Sequence, residues 1–435
     1  MCARVRFHLN GLWRKPDFLK IWAGETISHA GSLVTGFALP LTAILLLHAT
    51  AAQVALLSAA EIVPGLMLGL AAGVWVDRVR RRPLLIAMDI GRAVAIGVVP
   101  VAALLGRLQM EDLFAVALVT SALTIVFEAA YPAYLASLVS TEELVEANSK
   151  FEASGAVAEM ASLGAAGALV QALSAPVALV VDAVSYVVSA CSLARIRAHE
   201  PMPKARRDAT GPSAMHLWRQ IGAGIRVLLG DPIMRALAGA GGIFALFGNM
   251  IGVVLLLYLV KEVHLGAALI GVLFGIGGVS AFAGSLLAGW ATRRWGIGRM
   301  VIGGLAIYTG FAVVMPLASG PVWLATGLLV IGQLSDCAHT VYAIGRASLL
   351  QVRAPAHALG RLHASMQVIE GVATLAGIAL AGVLGQTIGL RPTLIVAVAG
   401  MLLAPLWLAR SPLRTLHTLP DHSPARQDAE LGITA

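Results

Sequence analysis

Charge is what this 435-residue sequence has least of, since Asp, Glu, Lys and Arg together make up 12% of it. A soluble globular domain carries roughly 25%. That shortage excludes an ordinary cytosolic enzyme and a disordered chain. It also argues against a nucleic-acid-binding domain, although the formal net charge is +8. Cysteine is scarce too: Cys2, Cys191 and Cys337 are the only three, too few and too scattered for a disulfide framework or a zinc site. No G-x-x-x-x-G-K-[ST] run is present, so ATP hydrolysis on a P-loop is excluded. HExxH, G-x-S-x-G and haem-attachment motifs are likewise missing, and the reading is that the protein is not an enzyme. No metal, cofactor or nucleic-acid partner is expected.

What the sequence has is apolar length. Hydrophobic residues make up 58% of it, with a mean hydropathy of +0.84, as for a polytopic membrane protein. A bilayer core needs about 20 apolar residues per helix, and twelve runs qualify. Six lie in the first half, over 18–47, 53–76, 84–106, 113–138, 150–172 and 176–197. Six lie in the second, over 233–260, 266–291, 299–318, 322–347, 360–386 and 392–410. The first run is too long for a signal-peptide core and has no cleavage site after a short one. The organisation expected is an N-terminal segment 1–17, a six-helix bundle over 18–197, a linker over 198–232, a second bundle over 233–410 and a tail over 411–435. The linker carries Pro201, Pro203, Pro212 and the basic run Lys204 to Arg207.

Basic residues orient such a chain. With both termini cytoplasmic, the outer loops hold only Arg107, Lys261 and Arg391 of the 31 Lys and Arg residues. A miscount by one span would scramble that asymmetry. The halves also repeat at an offset of 216: Gly73 falls on Gly289, Arg78 on Arg294, Gly155 on Gly371 and Pro176 on Pro392. Parallel repeats of this kind are a transporter plan with the substrate site near the midplane. The fold class is therefore an all-α membrane protein of twelve transmembrane helices in two pseudo-symmetric six-helix bundles.

The loop after the second span reads Gly73-Val74-Trp75-Val76-Asp77-Arg78-Val79-Arg80-Arg81-Arg82. It resembles the G-x-x-x-D-R-x-x-R-R loop of the major facilitator superfamily, and Gly289 to Arg299 resembles its degenerate second copy. FLKIWAGETISHAG at 18–31, EELVEAN at 142–148 and ASLLQ…P…LGRLHAS at 347–365 are similar to the macrolide-efflux and enterobactin-exporter branch, the third drug:proton antiporter family. The likeness extends over about 18–414. Two departures stand out: Arg293 occupies the position matching Asp77, and Gly164-Ala165-Ala166-Gly167 stands where many drug antiporters have Gly-Pro in the fifth span. The resemblance implies a gating latch in which Asp77 faces the start of the eleventh span, Gly360-Arg361, with Gly73, Arg78 and Arg82 in the same device. A carboxylate at a helix N-terminus is worth about 0.3–1 kcal/mol when exposed. The plainer reading of 78–82 is a basic loop that fixes topology.

Glu25, Glu61, Glu128, Glu159, Asp182, Asp336 and Glu370 all lie within the spans. At about 2.5–3.5 kcal/mol each on the insertion scale, all seven facing lipid would cost on the order of 20 kcal/mol. They must face a cavity, find partners, sit at an interface or stay neutral. Glu25, Ser28, His29, Ser32 and Thr35 recur at helical spacing in the first span, and Ser121, Thr124, Glu128 and Tyr131 in the fourth. Asp336, His339 and Thr340 do so in the tenth, near Tyr342 and Arg346, while the seventh offers Asn249. The resemblance implies that helices one, four, seven and ten line a central cavity. Glu25 with His29 and Asp336 with His339 are spaced to meet on their helices. The proton-coupling candidates are thus Asp336, Glu128, Glu25, His29 and His339, with both histidines alternatively neutral packing residues and Glu25 alternatively interfacial. Ser32, Thr124, Tyr131, Asn249, Thr340 and Tyr342 are the substrate-cavity candidates. Glu61, Glu159, Asp182 and Glu370 lie on supporting helices. Pro40, Pro64, Pro100, Pro132 and Pro316 are expected to kink helices.

The function expected is proton-coupled export of an amphipathic small molecule, a cationic drug or macrolide, by a monomer in the cytoplasmic membrane. A siderophore or secondary-metabolite exporter of the same fold is the alternative, and a lipid flippase or non-transporting scaffold the next.

Overall fold

The computed structural model of the protein describes residues 11–76, 78–140, 142–198, 222, 224–353 and 359–416. Among these residues there is no strand, and nearly all the chain is helical. That outcome is forced: a bilayer offers no hydrogen-bond partners, so each apolar segment must satisfy its own backbone.

Six helices occupy the first half: α1 (Pro16–Leu45), α2 (Ala51–Val76), α3 (Arg81–Leu104), α4 (Met110–Leu138), α5 (Leu144–Leu173) and α6 (Ala175–Ala194). The second half has α7 (Pro232–Lys261), α8 (Ala267–Trp295), α9 (Ile297–Phe311), α10 (Val314–Leu317), α11 (Val322–Leu334), α12 (Asp336–Arg353), α13 (Leu359–Thr387), α14 (Leu390–Met401) and α15 (Leu403–Ala409). Among the described residues ten helical segments are long and apolar enough to cross a membrane, the ninth and last spans each taken whole, and α5, bent by 41° between Ser162 and Gly164, makes eleven. The bend falls at the start of the Gly164-Ala165-Ala166-Gly167 run. The tenth apolar run, 322–347, is the exception. It is broken at Ser335 into α11 and α12, where Ser335 turns its hydroxyl back onto the Gly332 carbonyl at 2.6 Å. Helices α1 to α4 run unbroken through Pro40, Pro64, Pro100 and Pro132, whereas Pro316 sits in the short α10.

The repeat read from the sequence reappears in backbone geometry. The turn after α1 is closed by His48 at φ 52 and the turn after α7 by His264 at φ 58. In the first turn the Ala49 amide donates to the Ala43 carbonyl, and in the second the Leu265 amide donates to the Leu259 carbonyl, both at 2.9 Å. Each pair of positions differs by 216. Two non-glycine residues in the left-handed region at one offset show that both turns solve one geometric problem.

The chain packs as two units, Met1–Gly211 with Leu259–Gly275, and Pro212–Tyr258 with Ile276–Ala435. In the first, α6 lies on α1 and α3, α4 lies on α2 and α3, and α5 lies on α1. Its core at the basic end gathers Phe18, Ile21, Leu85, Phe127, Tyr134 and Leu193, and it buries Leu12 from the segment before α1. In the second, Leu237, Val301, Leu305, Tyr342 and Leu408 form the counterpart, closed by Leu413 from beyond α15. Exposed Leu, Val, Ile and Trp side chains are spread over the helices of both units, as lipid-facing surfaces require.

Candidate functional site

Each unit holds its own polar interior. In the first, α3 carries Asp89 and Arg92, which form an i, i+3 ion pair. Asp89 is 0% and Arg92 4% exposed. The Arg92 guanidinium lies 4.3 Å from the ring centre of Phe127 and 4.4 Å from that of Tyr186, and donates to Thr124 Oγ1 at 3.4 Å. Beside it Asp182 is fully buried, taking hydrogen bonds from Thr35 at 2.5 Å and Ser185 at 3.0 Å. Ser32 is 2.9 Å from the Tyr186 hydroxyl and also donates to the Ser28 carbonyl. Four helices are thereby tied through one buried cation and two buried acids.

This network borders a cavity of about 390 Å³ lined by Ser32, Thr35, Glu61, Thr124, Glu128 and Tyr186. The Glu61 and Glu128 carboxylates are exposed to it, and neither forms an ion pair among the described residues. Ser121 anchors the wall by donating to the Glu61 carbonyl at 2.5 Å. A second cavity of about 340 Å³ collects Glu25, His29, Tyr131, Glu152 and Glu159. Glu25 and His29 share it without pairing. Tyr131 stacks on Phe127 and meets Phe151 edge-on, and its buried hydroxyl has no partner among the described residues.

The second unit has a cavity of about 310 Å³ lined by Phe244, His339, Tyr342, Arg346, His363 and Glu370, among others. Arg346 is ion-paired to Glu370. His339 does not pair with Asp336: its ring stacks on Phe244 at 5.2 Å and lies 4.8 Å from Tyr308. An aromatic nest competes successfully for an imidazole that is only three residues from the carboxylate. Tyr342 is 2% exposed, and its hydroxyl, beside this cavity, has no partner among the described residues. Asp336 opens α12 directly after the Ser335 break, and Thr340 hydrogen-bonds back to its carbonyl at 3.1 Å. Asn249 ties α7 to α13 by donating to Thr374 at 3.1 Å and to its own helix at Ala245.

The loop residues separate. Asp77 lies outside the described residues, as does most of the 198–232 linker. Gly73 is in the last turn of α2, and Arg78 follows in a turn, its amide on the Trp75 carbonyl. Arg82 caps the end of α6, donating to the carbonyls of Leu193 at 2.9 Å and Ala194 at 2.6 Å. That is a helix C-terminus satisfied by a cation. Gly360 and Arg361 stand in the first turn of α13.

Sequence reasoning passed over Asp89 and Arg92, although an Asp–Arg pair at i, i+3 inside an apolar run was legible. It also placed Glu61 on a supporting helix, whereas Glu61 shares a cavity with Glu128. No periodicity along one helix reveals that.

Outside the membrane, the Lys15 ammonium, 2.6 Å from Glu143, and the Ser140 amide hold the Glu143 carboxyl at about 2. In the second unit, partial burial raises the Asp231 carboxyl. The amides of Met234 and Ile233 and the Arg353 guanidinium outweigh it, leaving Asp231 below the usual range.

The family model for the Major Facilitator Superfamily matches residues 21–378. No curated protein matches the sequence. Among solved structures, the chain is similar to a bacterial homologue of the iron transporter ferroportin in its inward-facing state, with 20% identity over 91% of this chain and 98% of that one and a TM-score of 0.71. The nucleoside transporter NupG gives 12%, 90%, 98% and 0.67. A bacterial homolog of the human lysosomal transporter Spinster gives 13%, 91%, 96% and 0.65.

Proposed function

The chain belongs to the Major Facilitator Superfamily, and on that premise we propose that it exports an amphipathic small molecule by alternating access, driven by proton antiport. The observation that carries this reading is the pair Glu61 and Glu128. They line one cavity at membrane depth and lack a cationic partner among the described residues, while Asp89 and Glu370 each have an arginine. A lone carboxylate there costs about 2.5–3.5 kcal/mol unless a proton or a cationic cargo neutralises it. Those two ways of neutralising it exclude each other, and such competition is what antiport needs. Asp336, at the start of α12, is the matching candidate in the second unit.

The likeness of 18–31, 142–148 and 347–365 to the macrolide-efflux branch supports export, and acids in an apolar wall favour neutral or cationic cargo. Anionic siderophores gain little, because the guanidinium of Arg346 is already paired with Glu370. Iron, the cargo named for the ferroportin homologue, gains no support either: among the described residues no group of three or more His, Cys, Asp or Glu is placed to hold a metal ion. The setting proposed is a monomer in the cytoplasmic membrane with both termini inside and two six-helix bundles at 18–197 and 233–410.

One proton moving through 100 mV supplies about 2.3 kcal/mol, enough to hold a roughly 40-fold gradient. The test is proton flux in proteoliposomes challenged with organic cations and macrolides. Wild type responds to cargo, while Glu128→Gln and Asp336→Asn transport without pH dependence or not at all. Both variants exporting at wild-type rates with unchanged pH dependence would overturn the coupling assignment. Absence of flux with every cargo would favour the scaffold reading.

A further inference from the structure

A groove of about 660 Å³ within the second unit is apolar and belongs to none of the polar interiors. Its floor is made of small residues, Gly303 and Gly304 on α9 and Ala338 on α12, together with Ser335 at the break between α11 and α12. Its walls are large and exposed: Trp290 at 49%, Ile307 at 52% and Leu334 at 56%. A hollow floored by missing side chains and rimmed by exposed ones is shaped to receive a flexible apolar chain.

Charge identifies the occupant. One end of the groove is marked by Arg299, with Arg293 and Arg294 in the last turn of α8 just before it. All three are exposed, and none forms an ion pair among the described residues. The sequence holds no Asp or Glu between Val263 and Ser335, so the helices that carry these arginines bring no acid of their own to offset them. Trp290 and Trp295 meet edge-on at 5.1 Å beside the arginines, as tryptophans do at the headgroup level. From Arg299 to Phe311, at the far end, is 12 residues, or about 18 Å at 1.5 Å per residue. Half of a 30 Å hydrocarbon core is about 15 Å. The groove therefore runs the depth of one leaflet.

We propose that this groove binds an anionic phospholipid, with one acyl chain lying along Gly303 and Gly304 and the phosphate held by Arg299. The acyl chain packs against the Ser335 break. The lipid thereby braces the interrupted tenth span, directly before Asp336. This inference needs only the bilayer setting and does not depend on the cargo proposed above.

Native mass spectrometry of the full chain, released from membranes of equal phosphatidylglycerol and phosphatidylcholine with matched acyl chains, tests it. Wild type retains phosphatidylglycerol in preference. Near an anionic headgroup one arginine is worth about fivefold in affinity, so Arg299→Gln lowers that preference about fivefold. A Cβ at Gly303 meets nothing within 4 Å, so Gly303→Leu fills the groove without disturbing the packing and removes the retained lipid. Gly310→Leu, on the same helix and equally open, leaves it in place. Equal retention of the two lipids by wild type, or undiminished phosphatidylglycerol in both Arg299→Gln and Gly303→Leu, overturns the proposal.

Discussion

The Asp89–Arg92 pair gives the sharpest test of how this protein holds its polar interior. Both side chains are removed from solvent, at 0% and 4% exposure, and the guanidinium is further held by Phe127, Tyr186 and Thr124. Removing one member of a buried pair strands the other charge, which costs about 3–5 kcal/mol. Arg92→Met strands Asp89 and also forfeits two cation–π contacts, so the loss should reach at least the upper part of that range. At 1.4 kcal/mol per decade this is two to more than three orders of magnitude in the unfolding equilibrium. Replacing both partners with apolar residues of similar size removes the desolvation cost as well as the attraction, and is often neutral or stabilising. The ordering expected is therefore Asp89→Leu/Arg92→Met near wild type, with Arg92→Met and Asp89→Leu alone well below it. Thermal unfolding of detergent-purified protein, followed by tryptophan fluorescence, reads this directly. A single variant that melts with wild type, or a double variant that melts below the singles, would refute the reasoning. Transport by the double variant then separates bracing from function, because Thr124 and Tyr186 also line the neighbouring cavity.

Two other outcomes follow from local geometry. Glu143 has a carboxyl lowered from 4.5 to about 2 by Lys15 and Ser140; its stabilising contribution is fully present above pH 4.5 and fades as pH falls towards 2. Glu143→Gln should therefore lower the melting temperature at pH 7 but not near pH 2, and high salt should shrink the difference because the pair is exposed. A Cβ at Gly167 would lie 2.7 Å from the Ala267 carbonyl oxygen and from the Gly271 Cα. Gly167→Ala should cost about 1–3 kcal/mol by overpacking, whereas Gly97→Ala, which meets nothing within 4 Å, should not destabilise, as melting temperatures will show.

Composition and hydropathy alone determined that the chain is helical and membrane-spanning, roughly where each span lies, and that the halves repeat at 216. The reason is that a bilayer removes every alternative for the backbone, so apolar length dictates structure almost without reference to neighbours. The family was legible from a loop motif whose key carboxylate, Asp77, lies outside the described residues. Periodicity found Glu25, Thr124, Glu128 and Asp336, because it reports which residues share one face of one helix. It could not report what stands opposite that face. That Glu61 joins Glu128, that Glu370 neutralises Arg346, that aromatic rings draw His339 away from Asp336, and that Arg92 sits against α4 and α6 were decided by packing between segments tens of residues apart. Hydropathy also counts the tenth span as continuous, while the structure breaks it at Ser335. The polarity of the first turn after the break lets α12 restart there, and no average over an 18-residue window can see a single interrupted turn.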